Sequence, residues 1–322
     1  MALPQTLRDK LSLPLVAAPL FIVSNPDLVI AQCRAGVVGS FPALNARPEA
    51  ELEVWLQRIT TELDAHDRAN PEQPAAPFAV NQIVHGSNDR LQHDLKMCVK
   101  YRVPIVITSH GAKEFVNDAV HSYGGIVLHD IISNEFARKA VAKGADGLIA
   151  VAAGAGGHAG TTSPFALVQE IREWFDGPLL LSGAIATGGG ILAAQAMGAD
   201  LAYMGSAFIA TTEANAEAAY KQAIVAHASA DIVNSDLFTG VHGNYLRPSI
   251  EAAGLDPDNL PDGDISTMNF GSGGNTGAKA WKDIWGCGQG IGAVKAVAPT
   301  AELVARLRRE YQATKARIVA HG

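Results

Sequence analysis

The sequence is poor in cysteine and carries fewer positive than negative charges. Its three cysteines, Cys33, Cys98 and Cys287, stand far apart without a CxxC pair or a Cys/His spacing that would bind metal. Neither a disulfide framework nor a structural zinc site is expected, which favours a reducing cytoplasm and predicts no metal. The formal net charge of −7 at pH 7 disfavours nucleic acid and anionic membranes as partners, because both attract basic patches.

Long apolar runs are also missing. No stretch reaches about 18 uninterrupted apolar residues, and the N-terminal segment carries charges and Pro4 instead of an apolar signal core. The chain nevertheless has 322 residues, 48% of them hydrophobic, which is enough for a large core. We therefore expect a cytoplasmic globular protein that acts on a small molecule, with a homodimer as an open option.

Eight short apolar runs recur along the chain, each followed by a longer amphipathic stretch, as in repeated βα units. The predicted strands are residues 15–19, 37–41, 78–83, 105–110, 125–131, 147–152, 179–184 and 201–206. The predicted helices are 26–35, 47–65, 89–101, 112–122, 134–143, 164–174 and 188–197, with Asn25, Ser133 and Ser163 as capping residues. This pattern favours a (β/α)8 TIM barrel. A Rossmann sheet is disfavoured because Pro19-Leu20-Phe21 replaces the GxGxxG turn.

The segment after the eighth strand departs from this rhythm. It begins with a predicted helix at 213–228 and runs into a stretch rich in Pro, Asp and Gly at 256–277. We interpret residues 213–281 as a lid over the open face of a barrel formed by residues 1–212 and 282–322, with a C-terminal helix at 300–320 packing back on the barrel. Trp281 and Trp285 are expected to anchor the lid, and Cys287 to be an unreactive buried thiol.

Active sites of such barrels gather at the carboxyl ends of the strands, where this chain places several polar residues. They are Asn81, Ser109, His110, His129, Asp130, His158, Ser182 and Ser206. The glycine-rich loop 154–160 would let a flat ligand lie against bare backbone, with His158 beside it as the candidate catalytic base. The loops that begin at Gly183 and Gly205 are rich in small residues and predict a phosphate site beside a helix N-terminus.

A family resemblance begins at the histidine loop. Asp146, followed twelve residues later by His158 in the setting Ala155-Gly156-Gly157-His158-Ala159-Gly160, resembles the nitronate monooxygenases, also called 2-nitropropane dioxygenases. Further matching elements cover most of the chain, namely Ala17-Ala18-Pro19, Asn81, the runs 182–185 and 204–211, and Cys287-Gly288-Gln289.

The resemblance implies an FMN-containing TIM barrel with His158 as the catalytic residue. It implies that FMN is held by Asn81, Gly156, Gly183, Ala184, Tyr203, Met204, Gly205 and Ser206, with the phosphate on the last two loops. By position we add Ala18, Pro19, His129, Gly157 and Ser182 as cofactor-binding residues. Val151 and Gly154 stand where the family commonly has a glutamine and a glutamate, which removes one side-chain contact to the flavin.

The implied reaction is the oxidative denitrification of an alkyl nitronate, such as propionate 3-nitronate, with O2. His158 could take the α-proton of a neutral nitroalkane or, when protonated, hold the anionic nitronate. His110 and Arg247 are expected near the substrate, and Arg247 could pair with a substrate carboxylate.

Other interpretations stay open at this point. FMN-dependent NAD(P)H:quinone reductases and enoyl-ACP reductases share this barrel but take hydride from a nicotinamide. A flavin-free lyase or isomerase acting on a sugar phosphate usually places lysine or paired carboxylates at the strand ends, where Asp130 is almost alone here. A non-catalytic ligand-binding barrel is the remaining alternative.

Overall fold

The computed structural model describes residues 3–8, 10–264, 270 and 283–321. The strands are β1 (Leu15–Ala17), β2 (Gly39–Pro42), β3 (Phe78–Ile83), β4 (Ile105–Ser109), β5 (Ile126–Ile131), β6 (Gly147–Val151), β7 (Gly157–His158), β8 (Leu179–Ser182), β9 (Leu201–Met204), β10 (Ile232–Ser235) and β11 (Gly243–Leu246). All except β7, β10 and β11 belong to one sheet of eight strands, which are the eight predicted ones.

The eight-stranded sheet closes into a barrel. Its strand order is β1-β9-β8-β6-β5-β4-β3-β2, and the paired strands run parallel. The two ends meet in a parallel bridge between Val16 and Val38, where the Ala17 amide donates to the Val38 carbonyl at 2.8 Å. The predicted TIM barrel is thus confirmed.

Helices alternate with the barrel strands, and others lie in the predicted lid and at the C-terminus. They are α1 (Gln5–Arg8), α2 (Pro26–Arg34), α3 (Glu51–Ala69), α4 (Leu91–Lys100), α5 (Glu114–His121), α6 (Asn134–Ala142), α7 (Pro164–Arg172), α8 (Gly188–Ala196), α9 (Ser206–Ile209), α10 (Ala218–Ala226), α11 (Arg247–Ala252) and α12 (Thr300–His321). Within the described ranges, no helix is both long and apolar enough to cross a membrane. The predicted cytoplasmic location stays a prediction.

Three local expectations need correction. Helix α3 begins at Glu51 instead of residue 47, since a residue that precedes proline, as Arg47 does, disfavours the helical region. Helix α10 begins at Ala218 instead of residue 213, and the Glu213 carboxylate instead accepts the Thr300 amide at the start of α12. Asn25 and Ser133 cap their helices as predicted, but Ser163 makes no capping bond, and α7 starts on Pro164 alone.

Side-chain alternation decides what the barrel interior contains. Every second residue of a strand faces inward, and the interior cluster includes Val16, Val38, Ala79, Ile105, Ile107, Leu128, Ile149, Leu180, Leu201 and Tyr203. Two residues further along these strands, the same alternation brings polar side chains to the top of the interior, among them Asn81, Ser109, Asp130 and Ser182. The barrel is therefore apolar below and polar at its carboxyl end.

The histidine loop is tied to the predicted lid by a small antiparallel sheet of order β10-β11-β7. In this sheet Gly243 pairs with His158 and Asn244 with Gly157. The Asn244 side chain also donates to the Ala155 carbonyl at 2.6 Å. The sequence did not predict these strands, and β7 lies far along the chain from its partner β11.

The described part of the lid also contacts the barrel through stacked rings. Trp285 stacks on Tyr220 of α10 with ring centroids 5.0 Å apart, as expected for an anchor. Trp281 and most of 265–282 lie outside the described residues. The division of the chain into barrel and lid stays a prediction.

The C-terminal helix packs back on the barrel, against α8 and α2. Its close approach requires Gly188, because a Cβ at that position would lie 2.1 Å from the Leu307 carbonyl oxygen. The carboxylate of Glu310 accepts the Gly188 amide at 2.8 Å. Helix α12 therefore covers the N-terminus of α8.

Candidate active site

A cavity of about 830 Å³ opens at the carboxyl ends of the barrel strands. This volume lies within the range of small-molecule and cofactor sites. The inward-facing strand residues form its floor, and loops from the barrel and the lid form its walls. The cavity brings together Ala18, Pro19, Asn81, Ser109, His110, Asp130, Gly156, Gly157, His158, Ser182, Tyr203, Gly205, Ser206, Thr239 and Phe270.

A hydrogen-bonded relay of three side chains lies on the floor. The Asn81 amide donates to Ser109 Oγ at 2.7 Å and to the Ile107 carbonyl at 3.2 Å. Ser109 Oγ in turn donates to Asp130 Oδ2 at 2.7 Å. Because Asn81 supplies the proton in the first bond, the Ser109 hydroxyl proton is directed at the carboxyl group.

The other carboxyl oxygen of Asp130 has a different environment. Oδ1 is shielded from solvent and has no hydrogen-bond partner among the described residues. Burial raises the pKa of Asp130 to about 7, although the Ser109 hydrogen bond acts in the opposite direction. Tyr203 lines the same floor, and burial followed by the nearby Asp130 charge raises the pKa of its phenol.

His158 faces the cavity from the wall. Its Nε2 lies 2.7 Å from Thr239 Oγ1, on the lid. The Thr239 hydroxyl donates to the Val241 carbonyl at 3.0 Å. Its Oγ1 can then accept a hydrogen bond from His158 Nε2–H, which favours the tautomer whose unprotonated nitrogen is Nδ1. Burial, helped by His110, lowers the pKa of His158 to about 3, so the imidazole is neutral at pH 7.

His110 stands next to His158 in an edge-to-face arrangement with ring centroids 5.2 Å apart. Its backbone has φ 60°, a left-handed conformation that is uncommon for residues with a Cβ and often marks functional sites. Phe270 covers the other part of the ring at 4.7 Å. Burial, with a smaller effect of His85, lowers the pKa of His110 to about 4.

Bare backbone forms one wall because glycines let two loops approach closely. A Cβ on Gly156 would lie 2.7 Å from the Cys287 carbonyl carbon, and one on Gly288 would lie 2.5 Å from the Gly154 carbonyl oxygen. The Gln289 amide donates to that same carbonyl at 2.9 Å. The Cys287-Gly288-Gln289 element therefore holds the histidine loop in place.

A small recess adjoins this wall at the ends of β8 and β9. It is lined by Gly183, Ala184, Gly205, Ser206 and Gly288, among others. The sequence predicted a helix N-terminus beside this recess as part of a phosphate site. The backbone amides there already have acceptors, because the Gly188 amide donates to Glu310 and the Gly190 amide donates to Thr187. A phosphate in this recess would meet the loop backbone and Ser206.

Three predicted site residues lie away from the cavity formed by the described residues. The alternation of β5 turns His129 outward, where its Nδ1 lies 2.5 Å from Thr108 Oγ1. Met204 likewise belongs to the outer core, and its carbonyl accepts the Ala18 amide. Arg247 forms a two-point ion pair with Asp258. The expected ligand contacts of the His129 and Arg247 side chains therefore lack geometric support.

Sequence reasoning missed several cavity residues as members of the site. Asp130 was noticed only as a strand end, although counting alternate positions from the interior Leu128 would have placed it on the floor. Thr239 comes from the lid, and no local pattern links it to His158. Arg47 lines the cavity from the loop after β2. Because this residue stands at the start of a helix predicted from the sequence, it was not assigned to the site.

The fold is a (β/α)8 barrel whose cavity has a carboxyl group on its floor and histidines in its wall. A model of the nitronate monooxygenase family matches residues 5–310. A protein named nitronate monooxygenase from Paraburkholderia phytofirmans is 28% identical, over 92% of each chain. The chain belongs to the nitronate monooxygenase family. It is an oxidoreductase, and members of this family are in general flavin-dependent.

Solved structures agree with this placement. The nitroalkane oxidase from Streptomyces ansochromogenes superposes with a TM-score of 0.78 at 26% identity, covering 97% of this chain and all of that chain. FabK from Thermotoga maritima superposes with a TM-score of 0.76 at 21% identity, covering 98% of this chain and 97% of that chain. The second likeness concerns the fold alone.

Proposed function

We propose that this protein is an FMN-dependent nitronate monooxygenase that denitrifies alkyl nitronates with O2, and that propionate 3-nitronate is a suitable substrate to test. The observation that carries the proposal is the arrangement around one cavity of His158, bare glycine backbone and a recess of small residues. Membership of the nitronate monooxygenase family supports it. The physiological partners would be the small-molecule substrate and O2.

The residues present fit a flat, phosphorylated cofactor. Gly156 and Gly205 expose backbone where a Cβ would crowd its neighbours. The recess at Gly183, Ala184 and Ser206 has a volume of about 20 Å³, so its loops would have to move apart to take a phosphate. Asn81 and Ser182 offer polar groups on the floor. Bound FMN would accept electrons from the nitronate and pass them to O2.

His158 stays our candidate catalytic residue in this proposal. Its imidazole is neutral, and its Nε2 is engaged by Thr239. We infer that the ring faces the ligand and orients the nitro or nitronate group of the substrate. The neutral His110 ring packs against it and restricts where it can move.

A negatively charged substrate needs a cation, and Arg47 is better placed than Arg247. Arg47 lines the cavity, with its guanidinium 5.4 Å from the centre of the Phe21 ring. Its Nε donates to the Leu44 carbonyl at 2.9 Å, while its Nη atoms have no hydrogen-bond partner among the described residues. Those two groups can receive a carboxylate. Arg90 is less available because Ala43, Ala46 and Asp94 already accept its Nη donors.

The test uses the purified protein loaded with FMN. Its flavin absorption is followed under anaerobic conditions after separate additions of propionate 3-nitronate, NADH and NADPH. We expect bleaching by the nitronate, and oxygen uptake with release of nitrite when air is admitted without NADH. Fast bleaching by NADH with none by the nitronate would instead support a quinone or enoyl reductase. A colourless protein that does not take up FMN would support a flavin-free lyase or isomerase.

A further inference from the structure

The floor of the cavity contains a carboxyl group with unusual surroundings. Asp130 lies at the end of β5, faces the interior and lines the cavity. One oxygen accepts the Ser109 hydroxyl, and the other is shielded without a partner among the described residues. A carboxylate normally accepts several hydrogen bonds, so this environment solvates the ionised form poorly and favours a carboxyl group that binds a proton.

The neighbouring side chains do not offset this cost with positive charge. In the same inward layer stand Asn81 of β3, Ser109 of β4, Val151 of β6 and Tyr203 of β9. The titratable groups that line the cavity are Tyr203, Tyr220, His110, His158, Asp89, Glu49, Arg47 and Arg90. Within the described part of the chain, no lysine, arginine or histidine forms an ion pair with Asp130. The two histidines that face the cavity are neutral at pH 7.

We propose that Asp130 is an acid–base residue of this cavity, taking up and returning a proton of the bound substrate. With a neutral nitroalkane, the Asp130 carboxylate removes the proton on the carbon that bears the nitro group. The C–H electron pair forms the C=N bond of the nitronate, the π pair of the N=O bond moves onto that oxygen as its negative charge, and Asp130 becomes the neutral carboxylic acid. The inference rests on the proposed function, since it names the group that prepares the nitronate from its conjugate acid.

Ser109 has a positioning role in this proposal. Its hydroxyl is oriented by Asn81 and holds Oδ2 at 2.7 Å, so it fixes the carboxyl group and favours its ionised form. Removing that hydroxyl should make Asp130 harder to ionise. The pH at which the carboxylate forms should then move upward.

The test compares two substrates, a neutral nitroalkane and its preformed nitronate, from pH 5 to 9. For the wild type we expect turnover of nitroethane to rise with pH through about 7, while turnover of ethyl nitronate lacks this rise. Asp130→Asn should lose about 100-fold with nitroethane and only a few-fold with ethyl nitronate. Asp118→Asn, on the exposed face of α5, is the matched control and should resemble the wild type. Ser109→Ala should shift the nitroethane profile to higher pH.

A second readout is independent of turnover and of FMN. The infrared band of a protonated carboxyl group should disappear between pH 6 and 8 in the wild type and in Asp118→Asn, and be missing in Asp130→Asn. Bound FMN and the thermal unfolding midpoint show that each variant is folded.

The possible results distinguish a failure of the role of Asp130 from a failure of the proposed function. Turnover of ethyl nitronate together with an unchanged nitroethane profile in Asp130→Asn would overturn the role of Asp130 and leave the proposed function standing. Failure of the wild type to turn over either compound would overturn the proposed function and with it the catalytic role of Asp130. The infrared titration would then still show whether Asp130 holds the proton.

Discussion

The histidine side of the cavity, formed by His158 and His110, and the carboxyl side, formed by Asp130, are both partly buried, yet burial affects their pKa values in opposite directions. It lowers the pKa of His158 to about 3 and raises that of Asp130 to about 7, because in each case the charged form is the one that loses water. Both sides are thereby pushed towards neutrality. At pH 7 only the carboxyl group is close to its midpoint.

The two sides also differ in how the chain holds them. Asp130 lies on a barrel strand, and its relay to Asn81 crosses three neighbouring strands of one sheet. His158 lies in a loop that is fixed from the lid by β11 and Thr239. The carboxyl side should therefore be set by the barrel alone, whereas the histidine side depends on the lid.

The largest expected effect concerns the histidine side. His158→Ala should lower turnover of a neutral nitroalkane about 1,000-fold, because it removes the group that we place against the substrate. FMN content, read from the visible spectrum, should stay near one per chain. The matched control is His242→Ala, an exposed residue of the lid that bonds Asn234. Equal turnover by the two variants would contradict the catalytic assignment of His158.

The next effect concerns the free energy of unfolding. Its change with pH should have opposite signs for Asp130 and His158. Asp130 has a raised pKa when folded, so between pH 3.8 and about 7 the unfolded chain ionises first and the native state loses stability as pH rises. Asp130→Asn should therefore gain about 4 kcal/mol in unfolding free energy relative to wild type on going from pH 4 to pH 8. His158 has a lowered pKa, so the stability it contributes is present above pH 6.5 and is lost as pH falls towards 3.

Urea unfolding at several pH values measures this difference, and His158→Gln should show the opposite trend. Its stability relative to wild type should rise as pH falls below 6.5. A stability difference for Asp130→Asn that does not change between pH 4 and 8 would show that the folded carboxyl group titrates like that of the unfolded chain.

A smaller effect concerns substrate charge. Arg47→Ala should raise KM for propionate 3-nitronate about tenfold, which corresponds to the loss of about 1.4 kcal/mol of charge-assisted hydrogen bonding. Ethyl nitronate, which has no carboxylate, should be affected less. Arg247→Ala is the control, since that guanidinium pairs with Asp258. A larger effect in Arg247→Ala than in Arg47→Ala would restore the original assignment.

The smallest effect tests how the lid acts on the histidine side. Thr239→Val removes the acceptor of His158 Nε2–H and should lower kcat with nitroethane about fivefold, the equivalent of one hydrogen bond. The pH profile set by Asp130 should keep its midpoint. A midpoint that moves with Thr239→Val would mean that the two sides titrate together.

The eight apolar runs, each followed by an amphipathic stretch, predicted the barrel because a strand and its helix are local units that a short segment of sequence specifies. The same local reasoning located Asn81, His158 and the glycine loops. It assigned His129 to the cofactor because the residue stands at a strand end, whereas one step of the alternation turns its side chain outward. Because adjacent strand residues face opposite sides, the same alternation turns the side chain of Asp130 inward.

Other features depend on contacts between distant segments, which a local pattern does not contain. Thr239 reaches His158 from 81 residues away. Glu310, which covers the N-terminus of α8, lies 122 residues beyond Gly188. The pKa shifts of His158 and Asp130 likewise arise from burial in the assembled barrel. Burial of these two groups decides which side of the cavity titrates near neutral pH.

The most direct test of the central claim is an NMR titration of protein labelled with 13C at aspartate carboxyl groups and 15N in histidine rings. We expect one carboxyl signal that titrates near pH 7 and is lost in Asp130→Asn. We also expect that the ring nitrogens of His158, assigned with His158→Gln, keep their neutral pattern from pH 8 down to pH 5. An Asp130 signal that titrates near pH 4, together with a His158 ring that becomes protonated near pH 6.5, would contradict this claim.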